Sequence, residues 1–342
     1  MSNSQRVCCL IFAAIMICQV GLHAFAQSPT DLVAEVGGVA ITQADLQKDE
    51  AGKLLQARYQ YYQAQNKAVD DLIDKKLLEQ KAQRENLTVD QLVARDITSQ
   101  VQNPTEDQMK VFYEGLETDQ PYEAVRDKIL EKIRQVRTDK AREAYLKALR
   151  AQADVHVALA GPTADVNVEN ANWLGSKSAP VLVVEFADYE CPYCQRVAPD
   201  IKKITDEFGG KIALAYKDFP LPMHSHAEKA AEAARCAGQQ GKFWEFHDEL
   251  FERKGLDVDQ LKAAARALHL DSAGFDRCLD SGKESAAVAQ DRADGLGLGL
   301  SGTPSFFING HYYSGALEYS AMRQLIEQQL WASHKPDVAS LK

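Results

Sequence analysis

The stretch VVEFADYECPYCQRVAPDIKKI, residues 183–204, constrains the fold more than any other part of the chain. An apolar run ends there, two cysteines follow three residues apart, and apolar residues then recur at helical spacing. A CxxC pair between a strand and a helix is typical of a redox motif, whose two thiols close into a disulfide and open again. Two other uses remain open on these residues alone, namely half of a zinc site and a structural disulfide.

The place of the pair at a helix start favours thiol chemistry. Cys191 would lie beside free backbone N–H groups and the positive end of the helix dipole, which stabilise a thiolate and lower its pKa. We therefore expect Cys191 to be the nucleophile that forms a mixed disulfide and Cys194 to be the thiol that resolves it. Zinc requires further ligands, and the one-residue spacing of His224 and His226 is not typical of a structural zinc clip.

The N-terminus has the pattern of a secretory signal. Arg6 precedes the apolar stretch VCCLIFAAIMICQVGL, and the following AFAQ places Ala24 and Ala26 before a cleavage site. We expect cleavage after Ala26, so that residues 1–26 are removed and contact with the membrane is transient. The alternative is an uncleaved anchor, although the apolar run is short for a span of about 20 residues.

Export to an oxidising compartment would allow the cysteines to form disulfides. Three of the seven cysteines lie within the predicted signal and four follow it, an even number that indicates disulfides in an exported protein. Four cysteines allow three pairings, and the sequence alone does not choose among them. The net charge of -10 argues against nucleic-acid binding, and we find no cluster of lysine and arginine to override it.

Residues 32–155 are predicted to be mostly helical. Their first segment, VAEVGGVAIT, is extended with a turn signal at Gly37-Gly38, and apolar residues later recur at three and four from Tyr122 to about Ala153. The region holds no cysteine and no histidine, so no catalytic cluster is expected in it. N-cap patterns that predict helix starts occur at Thr42, Thr88 and Thr105.

The pattern changes after a short polar linker, residues 160–171. From Ser176 onward the predicted order is strand, helix, strand, helical block, hairpin and helix, with the helical block at about residues 226–296. Asn309-Gly310 between two short β runs is a strong hairpin signal. The chain therefore divides into a helical region and an α/β domain, which we place at residues 172–335.

The helical region resembles the N-terminal region of the SurA-like periplasmic chaperones. The resemblance rests on the order VAEVGGVAITQADL, LIDKKLLEQKAQRENLTVDQL and PTEDQMKVFYE, and it covers about residues 32–155. It implies a domain that cradles unfolded chains, whereas a bundle used only for packing is the alternative. We see no parvulin isomerase domain, so prolyl isomerase activity is not carried over.

The α/β domain resembles the DsbA-like thiol-disulfide oxidoreductases. The motifs are CPYC, FPLPMHSHAEKAAEAARCAGQQGKFWEFHDELF and SGTPSFFING, within residues 168–335. The resemblance implies an α/β thioredoxin fold with a helical insertion, preceded here by the mostly α-helical domain. It also implies a periplasmic location and thiol-disulfide exchange on exported proteins.

The same resemblance implies roles for single residues. Cys191 and Cys194 would be the redox pair, and Thr303-Pro304 would be a cis-proline loop that contacts substrate, with an ordinary trans proline as the alternative. Glu185 would ease proton movement at Cys194, or else be an ordinary strand-end acid. We also predict a structural disulfide between Cys236 and Cys278 in the helical insertion, with two free thiols as the alternative. The histidines His224, His226 and His247 are interpreted as structural.

The expected function is the formation or exchange of disulfides in exported proteins. An isomerase or reductase is one alternative, and a holdase chaperone with secondary redox activity is another. The expected partners are unfolded or partly folded exported proteins and a redox protein that resets the cysteine pair. No bound metal or organic cofactor is expected.

Overall fold

A computed structural model describes residues 28, 30–155, 157–253 and 255–334 of the 342-residue chain. The predicted signal, residues 1–26, lies outside the described residues, as does Lys335 at the end of the predicted α/β domain. Contacts between Cα atoms divide the chain after Glu50 into two compact units.

The first unit contains a β-hairpin and a short helix. Strands β1 (Leu32–Val36) and β2 (Val39–Thr42) pair antiparallel. The turn between them has φ angles of 59° at Gly37 and 82° at Gly38, a left-handed region that favours glycine. Thr42 begins helix α1 (Gln43–Asp49) with a capping box, since its hydroxyl accepts the N–H of Asp45. The predicted turn and cap are thus confirmed.

The second unit begins with four helices, which confirms the mostly helical character of this region. The cap predicted at Thr88 accepts the N–H of Gln91, and the cap at Thr105 accepts the N–H of Gln108. Both form capping boxes at the helix starts. The helices are α2 (Ala51–Arg84), α3 (Val89–Asp96), α4 (Glu106–Glu114) and α5 (Tyr122–Gln152).

Helices α2 and α5 are joined by ion pairs and by a small apolar cluster. Arg150 Nε lies 2.7 Å from Asp74 Oδ1, and Arg150 Nη1 lies 2.9 Å from Asp70 Oδ1. Leu78 on α2 and Leu146 on α5 are buried in one cluster, where apolar area removed from water stabilises the helix pair. Helices α2 and α5 are therefore packed against each other along the C-terminal half of α2.

A five-stranded sheet forms the centre of the second unit. Its strand order is β3-β5-β4-β6-β7; β4 and β5 run parallel, and the other neighbouring pairs are antiparallel. The strand predicted before the CxxC pair, β4, lies at the centre of the sheet and is buried on both faces, which explains its nearly unbroken apolar run. The strands are β3 (Asn172–Leu174), β4 (Val181–Ala187), β5 (Ile212–Asp218), β6 (Ser305–Ile308) and β7 (His311–Ser314).

The helices of the α/β part follow the predicted order. Helix α6 connects β4 to β5, five helices form the block between β5 and β6, and α12 follows the hairpin. The hairpin turn at Asn309-Gly310 has φ angles of 48° and 81°, as its sequence predicts. The helices are α6 (Pro192–Phe208), α7 (Ala227–Gly238), α8 (Phe243–Glu252), α9 (Val258–Ala267), α10 (Ser272–Asp280), α11 (Ser285–Gly297) and α12 (Tyr319–His334).

The outer edge of β7 is covered by other parts of the second unit. Tyr312 N donates to Pro162 O at 2.8 Å, and Ser314 N donates to the hydroxyl oxygen of Tyr59 on α2 at 2.9 Å. The rings of Tyr59 and Tyr312 are 4.7 Å apart. These contacts satisfy backbone groups that an open edge would expose to another chain. Helix α2 and the sheet therefore belong to one compact body.

Candidate active site

Cys191 lies at the junction of β4 and α6. It is the N-cap residue of α6, with Pro192 as the first helical residue, a position where proline loses no helical hydrogen bond. Cys191 N donates to Asp188 O at 3.1 Å, and the Cys191 thiol donates to Thr303 O at 3.4 Å. Cys191 and Cys194 are both buried free thiols, so the structure holds the dithiol form.

The two thiols have opposite acidities. A hydrogen bond from Cys194 lowers the pKa of Cys191 to about 5 against the effect of burial, and the Thr303 side chain and the N–H groups of Cys194 and Tyr193 lower it further. Burial raises the pKa of Cys194 well above its usual value, and the hydrogen bond and charge of Cys191 raise it further. At neutral pH the pair is thus one thiolate and one thiol, which suits a nucleophile or leaving group beside a protonated partner.

Thr303-Pro304 is a cis peptide bond next to the cysteines. The carbonyl oxygen of this bond, Thr303 O, accepts the hydrogen bond from Cys191. Strand β6 begins at the residue after Pro304, Ser305. Pro304 O accepts the N–H of Gly315 at 2.9 Å, which ties the loop to the end of β7. The fold therefore brings together two motifs that are more than a hundred residues apart.

Glu185 is buried in the middle of β4, between Tyr216 of β5 and Phe306 of β6. Burial raises the pKa of Glu185 to about 8, so the carboxyl group is mostly protonated at neutral pH. Glu185 and His247 line a cavity of about 150 Å³. Within the part of the chain that the structure describes, no hydrogen bond joins Glu185 to Cys194, so its role in proton movement stays a prediction.

Comparison with known protein families assigns both parts of the chain. Residues 167–328 match the family model described as thioredoxin. They form a thioredoxin-fold domain. Residues 2–112 match the model of the SurA-like N-terminal domain. Both resemblances drawn from the sequence are thus confirmed at the level of the family.

Solved structures of similar proteins align with about half of the chain. A thioredoxin-like oxidoreductase from Silicibacter pomeroyi is 32% identical, with 49% of this chain and 95% of that chain covered and a TM-score of 0.44. BdbD from Bacillus subtilis, in its oxidised form, is 23% identical, with 50% and 99% covered and a TM-score of 0.46. Wolbachia pipientis alpha-DsbA1 is 22% identical, with 52% and 97% covered and a TM-score of 0.45.

The curated relatives are much longer than the matched region. Na(+)/H(+) antiporter NhaA 1 of Salinispora arenicola is 39% identical over 151 residues, and NhaA 3 of Salinispora tropica is 38% identical over 152 residues. Each match covers 43% of this chain and 23% of the relative. Because the chain spans about a quarter of their length, the antiporter name describes those proteins and is not transferred. Among the described residues, no helix is both long and apolar enough to cross a bilayer.

Two histidines of the thioredoxin-fold domain pair with carboxylates just before Cys191. His224 Nδ1 donates to Asp188 Oδ2 at 2.7 Å, and His226 Nδ1 lies 3.1 Å from Glu190 Oε1. His247 is different, since it is buried among aromatic rings and hydrogen-bonded to the Tyr189 hydroxyl at 3.1 Å. Burial lowers the pKa of His247 to about 3, so its ring is neutral.

The second cysteine pair is a disulfide within the helical block. Cys236 on α7 and Cys278 on α10 are joined at 2.01 Å, with 42 residues of sequence separation. The pairing predicted from the sequence is therefore present in the structure. It leaves Cys191 and Cys194 as the free pair, and in the described ranges no group of three or more metal-ligating side chains is arranged to hold a metal ion.

A buried charge cluster in the thioredoxin-fold domain was missed from the sequence. Lys217 on β5 is fully buried, with its Nζ 3.0 Å from Asp291 Oδ1 on α11. Arg235 on α7 pairs with Asp218 and with Asp291. Buried charges require partners. The adjacent Lys217 and Asp218 at the end of the otherwise apolar strand IALAYKD are the sequence signal that could have indicated the cluster. The cluster clamps α7 and α11 to the sheet.

Proposed function

We propose that the chain is an exported protein-disulfide oxidoreductase that forms or exchanges disulfides in exported proteins. The observation that carries this proposal is the Cys191 thiolate next to the Cys194 thiol, both beside the cis Thr303-Pro304 bond. A low-pKa thiolate leaves a mixed disulfide readily and stabilises the dithiol form. This acidity favours donation of a disulfide to substrate over reduction of substrate.

The exchange follows from the two acidities. A substrate thiolate attacks Cys191 Sγ of the disulfide form, and Cys194 leaves and takes a proton because its pKa is high. A second substrate thiolate then attacks the substrate sulfur of the mixed disulfide, and Cys191 leaves as a thiolate. Two electrons have passed from the substrate dithiol to the cysteine pair. A redox partner then removes them and restores the disulfide.

Glu185 is proposed to supply and receive the proton of Cys194. Its carboxyl group is fully buried and carries a proton at neutral pH, which is the form needed by a donor. The cavity of about 150 Å³ that it lines together with Lys202 and Asp248 has room for water. The alternative, a buried acid of β4 with no part in proton transfer, predicts that Glu185→Gln leaves the pH profile of exchange unchanged.

The helical region is proposed to hold partly unfolded substrate close to Cys191. Support comes from α2, where the Tyr59 hydroxyl accepts the N–H of Ser314. The next residue, Gly315, donates its N–H to Pro304 O in the cis-proline loop. A cleft of about 390 Å³ runs from Tyr59 between α2 and α12, with aromatic walls and several carboxamides. Such a surface offers apolar contact and both hydrogen-bond donors and acceptors to an extended chain. We place the protein in the periplasm, with the predicted signal removed after Ala26.

The redox potential of the Cys191–Cys194 couple tests the proposed direction. The purified protein is equilibrated with glutathione buffers, and the dithiol fraction is read by thiol alkylation. A potential nearer to about -120 mV than to about -270 mV supports disulfide donation, and one at the reducing end supports the reductase alternative. Oxidation of a reduced, unfolded protein should be lost in Cys191→Ser. Unchanged oxidation by that variant would refute the assignment.

The substrate-holding role is tested by substrate size. Asn66→Trp, on α2, fills the cleft without touching the cysteines, and Lys110→Trp, at an exposed position of α4, is the matched control. We expect the first variant to raise the KM for an unfolded protein and to leave exchange with a small disulfide unchanged. Equal effects on both substrates would count against the role. Suppression of aggregation by Cys191→Ser would separately reveal holdase activity.

A further inference from the structure

The buried carboxylate of Asp188 forms hydrogen bonds that join the loop before Cys191 to the loop before α7. Asp188 Oδ2 accepts the Leu221 N–H at 2.8 Å and the His224 Nδ1–H at 2.7 Å, and Asp188 Oδ1 accepts the Glu190 N–H at 2.8 Å. The Asp188 side chain is fully buried, whereas 19% of the His224 side chain is exposed. His224 is therefore held in one orientation and still reaches solvent, as a proton acceptor requires.

The same aspartate is bonded to the nucleophile. Asp188 O accepts the N–H of Cys191 at 3.1 Å, so one residue joins the imidazole to the backbone of Cys191. The other pair in this region, His226 with Glu190, is more open, with side chains that are 48% and 29% exposed. His226 therefore provides a natural control for His224.

Among the described residues, the charged groups that act most strongly on His224 are negative. They are the carboxylates of Asp188 and Glu190 and the thiolate of Cys191. Burial lowers the pKa of His224, but the hydrogen bond that its ring donates to Asp188 and the charges of Asp188, Cys191 and Glu190 outweigh burial and raise the pKa above its usual value. The Cys191 thiolate exists only in the dithiol form, so this part of the field changes with the redox state.

We propose that His224 takes up a proton when the Cys191–Cys194 disulfide is reduced and releases it when the disulfide forms again. The inference rests on the proposed function. A substrate dithiol brings two electrons and two protons. One proton binds to Cys194 Sγ and the other to His224, while Cys191 remains a thiolate. Charge is conserved, because the imidazolium balances the thiolate, and the substrate leaves as a disulfide.

His224 is a positioning residue in this scheme, since it acts on Cys191 through its charge and through Asp188. The dipeptide between the cysteines, Pro192-Tyr193, carries no positive charge. The positive charge that stabilises the Cys191 thiolate therefore comes from His224, on a separate loop. Linkage makes the effect reciprocal: the shift that the thiolate causes in the pKa of His224 equals the shift that the imidazolium causes in the pKa of Cys191. A purely structural histidine would show neither shift.

NMR titration of the histidine rings tests the proposal in the intact protein. The dithiol form is made with a small dithiol reductant and compared with the disulfide form. We expect the pKa of His224 to be higher in the dithiol form by about half a pH unit or more, which is roughly a threefold change in proton affinity. His226 should move by much less. Equal titration of His224 in the two forms, or an equal shift of His226, would overturn the proposal.

A pair of variants gives the reciprocal measurement. His224→Gln keeps a side-chain N–H for Asp188 and removes the charge, and His226→Gln is the control. The first should raise the pKa of Cys191 by the same amount as the NMR shift, and the second should leave it unchanged. Unequal shifts would contradict the linkage. Both measurements need only a small dithiol, so they can succeed even where exchange with an unfolded protein fails, which separates this inference from the proposed function.

Discussion

The low pKa of Cys191 is explained chiefly by one hydrogen bond, from the thiol of Cys194, and that bond can be removed. Cys194→Ala deletes the donor and leaves the helix start and the cis-proline loop in place. Cys194→Ser keeps an O–H donor at the same position. The two variants differ by one hydrogen-bond donor to the thiolate, so their comparison isolates its effect.

The magnitude follows from the strength of such bonds. A hydrogen bond to a charged group contributes about 1.5–3 kcal/mol, and one pH unit of pKa corresponds to about 1.4 kcal/mol. Loss of the donor should therefore raise the pKa of Cys191 by about 1 to 2 pH units from its value of about 5. Cys194→Ser should stay close to the parent value.

The ultraviolet absorbance of the thiolate, followed against pH, gives this pKa directly, and the rate of alkylation gives it independently. Both variants contain Cys191 as the one free thiol of the thioredoxin-fold domain, because Cys236 and Cys278 are joined. Values for the alanine and serine variants that agree within about half a pH unit would refute the reasoning. The low pKa would then arise from the Thr303 side chain and from the backbone N–H groups at the start of α6.

The same low pKa sets how the stability of the dithiol form depends on pH. Cys191 has a folded pKa of about 5, below its ordinary unfolded value of about 8.5. The folded state therefore binds fewer protons than the unfolded state between these values, and stability rises with pH across that window. The contribution is complete above the unfolded pKa and is lost as pH falls through the folded pKa. The raised pKa of Glu185 acts in the opposite direction over much of the same window, so the effect is measured as the difference in the free energy of unfolding between the parent dithiol and Cys191→Ser. That difference should grow as the pH rises from about 5 to about 8.5.

Three further changes test the packing around the site by urea unfolding. Replacing Cys236 and Cys278 together by alanine should cost about 4 kcal/mol, because a loop of 42 residues is no longer closed; an unchanged midpoint would contradict this. Gly52→Val places a Cβ 2.6 Å from a backbone nitrogen and should cost about 1–3 kcal/mol, whereas Gly115→Ala, with its nearest atom at 3.6 Å, should be nearly neutral. Lys217→Met leaves buried carboxylates without their ammonium and should cost about 3–5 kcal/mol; a loss below about 1 kcal/mol would show that the cluster is not a clamp.

The sequence by itself determined the features that depend on local physical chemistry. The three threonine caps, the Asn309-Gly310 hairpin and the helix start at the CPYC motif each follow from groups within a few residues of one another. The alternation of helical and extended patterns also gave the order of elements in the α/β domain. Such signals need no knowledge of distant partners, which is why they can be recognised in a single chain.

The tertiary structure decided what depends on residues far apart in the chain. The thiol of Cys191 meets Thr303 O across 112 residues, and the hydroxyl of Tyr59 meets Ser314 N across 255. The sequence placed α2 in a helical domain of its own, but packing sets it against the edge of β7 in the same compact unit. Periodicity shows that a helix has an apolar face and does not show which surface that face covers.

The acidities of the site belong to the tertiary structure as well. The sequence predicted a thiolate at Cys191 from the helix start, and the fold adds the hydrogen bond of Cys194 that lowers its pKa most. From the sequence His224 has only a structural interpretation, whereas the fold places Asp188 beside it. Burial and charge determine a pKa through every neighbouring group, and those neighbours are assembled only when the chain is folded.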